Sequence, residues 1–169
     1  MITRHHTDGM TKSWASYSDC ENYRYVLERV WKPDGTKLTY IMLNPSKATE
    51  QQNDPTIERC ERRARQLGYG AFRVCNIFAW RETDPMALRK ADAPIGPDND
   101  AALKDAAVWA DIILCGWGVH GAHQNRGPET VLLLRAYGQT LWSLGQSKYG
   151  HPRHPLYIAY ATQPQIWEP

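Results

Sequence analysis

The sequence has no C-x-x-C pair: Cys20, Cys60, Cys75 and Cys115 stand far apart. Zinc and iron–sulfur ligation are therefore only weakly supported. His120 and His123 lack a third ligand at convincing spacing, so no metal and no cofactor are expected. No apolar run approaches the roughly 20 residues of a membrane helix, and the opening MITRHHTDGM has no signal-peptide core. These absences predict a cytoplasmic protein with no membrane partner. There is no internal repeat and no low-complexity tract. Nor is there an excess of charge, and a net +2 neither demands nor excludes a polyanion. Oligomeric state is left open.

What is present is the makings of one α/β domain spanning residues 1–169, a length sufficient for a substantial core. Residues 1–20 carry little pattern and read as a loose arm. Tyr23–Trp31 alternates like a half-buried strand, Lys32-Pro33-Asp34-Gly35 is turn chemistry, and Leu38–Leu43 reads as the returning strand of a hairpin. Asp54-Pro55 is suited to cap a helix ending near Gly68. Strands are predicted over 72–78, 111–115 and 140–144. Helices are predicted from Thr83 or Asp84, over 98–110, and over 128–137. Strands alternating with helices predict a three-layer αβα sandwich, with a mainly parallel central sheet and an antiparallel N-terminal edge hairpin. Cys75 and Cys115 fall in apolar strands and are expected to be reduced core residues. The arginine run Arg59, Arg62, Arg63 and Arg65 reads most simply as a solvated helix face.

Open parallel sheets bind ligands beyond the carboxyl ends of their strands. The loops expected there hold Asn44, Trp80, Arg81, Trp117, His120, His123, Arg126, His151, Arg153 and His154. The strand-terminal LNPS places Asn44, Pro45 and Ser46 at that edge, with Asn53 and Asp54 near enough to line the same cleft. Asn76 lies in the apolar strand VCNIF. An amide there either satisfies buried backbone groups or presents a donor and an acceptor to a flat ligand. Phe78, Trp80 and Trp117 are candidates to stack on a base.

Two resemblances follow from these motifs. LNPSKA, NDPTI, NIFAWRETDP, PIGPDND and GHPRHPLYI resemble the DUF1643 family, a domain of unknown function. More faintly, four short motifs in order are similar to the uracil-DNA glycosylase superfamily: MLNPS, VCNIF, LCG and HPL. Leu43 and Ser46 depart from that family's commonest residues. The second resemblance implies a uracil-DNA-glycosylase-like fold and hydrolysis of an N-glycosidic bond of a base in DNA or a related nucleotide. Asn44 then orients water, and His154 stabilises charge on the departing base. Asn76 reads the base edge, and Arg153, Leu156 or Tyr157 is the wedge, Leu156 fitting best. Two other readings stand beside it. One is a nucleic-acid or nucleotide binding module without catalysis; the other is a hydrolase of a small nucleoside-like ligand.

Overall fold

Lys37–Met42 forms a strand that Leu43 extends, and its successive side chains enter opposite cores. Leu38, Tyr40 and Met42 pack with Ile57, Cys60 and Ala64; Ile41 and Leu43 pack with Leu103, Ala106, Ala107, Val131 and Leu134. That alternation is the period-2 geometry of a strand with both faces covered. In the computed structural model, which describes residues 1–169, it is the fourth of eight strands. They are β1 (Ile2–Asp8), β2 (Thr11–Tyr17), β3 (Arg24–Val30), β4 (Lys37–Met42), β5 (Ala71–Asn76), β6 (Ile112–Gly116), β7 (Leu141–Ser143) and β8 (Gln165–Ile166). One sheet runs in the order β1-β2-β3-β5-β4-β6-β7-β8. Helix α1 (Pro55–Gln66) covers one face. The other carries α3 (Asn99–Trp109) and α4 (Arg126–Ala136), with the single-turn α2 (Pro85–Leu88). No helix is long and apolar enough to cross a membrane.

The mixed α/β class is as expected, but the sheet is not mainly parallel. Only the β4–β5, β4–β6 and β6–β7 pairs are parallel, and the other four are antiparallel. The expected loose arm is instead the β1–β2 hairpin, turning at Gly9 with φ +55°. Its polar alternation hid it, because an edge strand buries little of its own surface. The edge hairpin therefore exists, but not where the turn at Asp34-Gly35 predicts it.

β3 and β4 do not pair, because β5 lies between them, antiparallel to one and parallel to the other. Their connection opens around Gly70, whose carbonyl accepts from Trp31 N at 3.1 Å and Lys32 N at 2.9 Å, while its N–H donates to Thr36 O at 2.9 Å. A Cβ on Gly70 would run into the Lys32 carbonyl oxygen and approach Gly35 Cα at 2.7 Å. Gly70→Ala is therefore expected to destabilise the fold by about 3 kcal/mol, at the upper end of overpacking costs. Urea denaturation measures this; an unchanged midpoint refutes the close packing.

Of the arginines of α1, Arg62 and Arg65 are exposed as expected, but Arg59 and Arg63 turn inward. Arg63 is 1% exposed and donates to the carbonyls of Ile158, Ala159 and Thr162 at 2.9–3.2 Å. Arg59 donates to Ile158 O as well. Irregular backbone at 158–162 has no ladder partners, and these guanidiniums supply its missing donors.

Candidate functional site

β4, β5, β6 and β7 run parallel, so their carboxyl ends share one edge. Met42 lies between Asn76 and Gly116 in register. Two strand spacings of about 4.8 Å put those flanking Cα atoms about 10 Å apart. Asn76 continues the alternation of Phe72 and Val74, and Gly116 that of Leu114, so both positions face the α1 side. A Cβ at Gly116 would meet Pro155 Cδ at 2.8 Å. The glycine lets Pro155 seat against the strand end and brings the neighbouring His154 over the same face. α1 crosses from β4 to β5 and so begins at this edge. Asp54 caps it, Oδ1 accepting from Ile57 N at 2.9 Å and Oδ2 from Ala48 N at 3.1 Å.

Three of the predicted side chains are thus drawn to one edge with distinct polar states. Asn76 is 2% exposed. Its backbone oxygen accepts from Asn99 Nδ2 at 2.9 Å, while its own carboxamide makes no hydrogen bond to the protein and its polar atoms are not sealed from solvent. His154 accepts from Leu156 N at Nδ1, 3.3 Å. That bond assigns the proton of the neutral ring to Nε2. Burial, partly opposed by the nearby Asp54 carboxylate, pushes the imidazole pKa down to about 4. His154 is therefore a neutral N–H donor at pH 7. Asn44 donates through Nδ2 to Glu82 O at 2.7 Å, Pro45 O at 3.2 Å and Trp80 O at 3.3 Å. Its Oδ1 takes no hydrogen bond from the protein and remains an acceptor.

Several other expected site residues have structural work instead. Phe78 is fully buried beside the His123 ring, 5.6 Å between centroids. Trp117 is 3% exposed, edge-on to Trp167 at 5.4 Å. Phe78 is closed off from a base in the α3–α4 core, while Trp117, packed into the same core, lines an apolar groove beside α4. Trp80 is half-buried against Tyr23, 5.3 Å between centroids. Arg81 donates to Glu21 O at 3.1 Å. Asn53 accepts from Arg29 and donates to Glu58 and Glu61, which turns it to another surface. Pro45 is buried and Ser46 Oγ meets Thr83 Oγ1 at 3.2 Å. Arg153 is exposed and Leu156 half-buried, while Tyr157 stands 82% exposed.

Sequence reasoning missed Arg24 and Asn99. β3 is antiparallel to β5, so Arg24 at its start reaches the same edge. It is 2% exposed and donates to Ala48 O at 2.6 Å. Its Nε has no partner. Burial lowers the Arg24 pKa to about 10. Asn99, at the start of the helix predicted over 98–110, bonds the carbonyls of Asn76 and Ile77. A basic residue opening a strand and an asparagine opening a helix are too common to signal either role.

Two grooves open elsewhere. A polar one of about 500 Å³ runs beside Arg29, Glu50, Asn53 and Glu61. An apolar one of about 370 Å³ lies between α4 and Tyr149, His151 and Trp167. Asn44, Asn76 and His154 line neither.

No curated protein and no solved structure matches this sequence. Residues 24–156 match the family described as a protein of unknown function, DUF1643. The matched stretch begins at Arg24 and runs past Asn44, Asn76 and His154 to Leu156, spanning most of the chain, which thus belongs to the DUF1643 family.

Proposed function

We propose that the carboxyl edge receives a nucleobase-bearing ligand and hydrolyses its N-glycosidic bond, in the manner of a uracil-DNA-glycosylase-like protein. The observation that carries this reading is the pairing of a carboxamide free of protein hydrogen bonds, Asn76, with a neutral N–H donor, His154, on one face. Asn76 offers a donor and an acceptor side by side, the complement of a base edge. As the glycosidic bond breaks, its electron pair leaves with the base. The His154 Nε2–H donates to the base oxygen where that charge collects. Water held at Asn44 Oδ1 adds to the sugar carbon and gives up a proton to solvent. A side chain 2% exposed is met by a base only after the loop carrying His154 opens, so binding and loop movement are coupled.

A slower or purely binding variant of this reading has its own support. Both oxygens of Asp54 are committed to backbone N–H groups, so that carboxylate is not free to activate water, and an amide is a poor base. The test is release of free base from oligonucleotides bearing uracil, hypoxanthine or modified pyrimidines, beside the free nucleosides. Asn44→Ala should slow release by about tenfold or more while sparing affinity for a non-cleavable analogue, whereas Asn76→Ala should change which base is accepted. Tight binding without release by wild type leaves the binding module. Release from nucleosides alone leaves a small-molecule hydrolase.

A further inference from the structure

Arg59, Arg62 and Arg63 gather around one ring. Their guanidinium carbons lie 4.4, 4.7 and 5.5 Å from the centre of Tyr160. None of the three has a carboxylate partner. The acids of α1 have other partners: Glu61 pairs with Arg65 at 2.8 Å, and Glu58 and Glu61 both accept from Asn53, although both share a groove with Arg62. Three like charges this close repel one another, and cation–π contact with Tyr160 offsets only part of that cost. No ion pair within the protein neutralises the cluster.

The surface continues without acid. From Thr130 to Trp167 there is no aspartate or glutamate, although the chain has 18. Along that stretch Arg153 is exposed, Tyr149 is 80% exposed and Tyr157 82% exposed. Lys148 Nζ lies 5.6 Å from the Tyr149 ring. The loop from Gly145 to Tyr157 passes over the carboxyl edge, from the α4 side to the α1 side. Exposed aromatic faces interleaved with unpaired cations suit one kind of partner: a flexible polyanion whose bases can stack. Duplex bases are stacked on each other and offer no faces.

We propose that the surface of Arg59, Arg62, Tyr157 and Tyr160 binds a single-stranded nucleic acid, the arginines holding phosphates and Tyr157 stacking on a base. This goes beyond base cleavage and stands without it, because its readout is binding. The experiment is fluorescence anisotropy of the full chain with labelled dT15 and rU15, with a duplex of the same length and with inorganic polyphosphate as competitor. With one phosphate each on Arg59 and Arg62, a fourfold rise in salt should weaken binding about sevenfold, and Arg62→Ala should reduce that to about 2.6-fold. Tyr157→Ala should weaken binding at least about fivefold. Both side chains are exposed, so neither substitution threatens the fold. Binding of either single strand with these losses supports the proposal. No binding, equally tight duplex binding, full competition by polyphosphate, or indifference to both substitutions overturns it.

Discussion

His154→Ala should slow base release by about 10²–10³-fold, the usual consequence of removing one preorganised donor from a site of developing negative charge. The size of the effect rests on protonation. With a pKa near 4 the ring is neutral across the working range, and Nδ1 is occupied by the Leu156 N–H, so Nε2 is the donor. The rate of wild type should therefore show no inflection from this group between about pH 8 and pH 5. Stability behaves differently. The unfolded histidine titrates near 6.5, above the folded value of about 4, so between these pH values the unfolded chain holds more protons. The contribution of His154 to stability is complete above about pH 6.5 and is lost as pH falls toward 4. His154→Ala should flatten that part of the stability profile. His154→Gln, which keeps an N–H donor without the titration, should recover part of the rate and none of the pH dependence. Undiminished release by His154→Ala would remove this residue from the mechanism.

The largest expected loss of stability lies elsewhere, at Arg73. Glu28 on β3 and Arg73 on β5 are direct cross-strand partners. Glu28 Oε2 accepts from Arg73 Nε at 2.8 Å and Nη2 at 2.6 Å, and both side chains are 9% exposed. Arg73 also packs its guanidinium 4.3 Å from the Trp109 ring. Arg73→Ala strands a carboxylate in this setting, and breaking such a pair from one side costs about 3–5 kcal/mol. Glu28→Leu combined with Arg73→Met removes both charges and should regain most of that loss, since buried pairs rarely outperform apolar replacements of similar size. Chemical denaturation of the single and double variants decides. An Arg73→Ala protein with wild-type stability would mean that water reaches Glu28.

Local sequence determined much of this protein. The turn of polarity at Asp54-Pro55 and at Asp84-Pro85 set two helix starts, with each aspartate accepting from the backbone two or three residues on. The apolar runs at 38–42, 72–76 and 112–115 became strands because no other local structure hides such a run on both sides. Asn44 and Asn76 could be placed at one edge from the sequence because each stands at or just beyond a segment of that kind, where parallel topology gathers strand ends. His154, by contrast, lies in the long loop after β7. The order of the strands was another matter. The turn at Asp34-Gly35 asks for a hairpin, and the chain declines it. Inserting β5 gives β3 and β4 each a partner and buries Phe72 and Val74 in the α1-side core, a gain in long-range pairing that no local turn preference can match. Likewise Trp117 and Phe78 look like ligand platforms in the sequence, and only the packing of α4 and Trp167 makes them core. Periodicity and caps are local, and the sequence alone determined them. Strand order, the burial of Arg24 and Arg63, and the empty hydrogen-bonding capacity of Asn76 depend on segments far apart in the chain, so only the tertiary structure decided them.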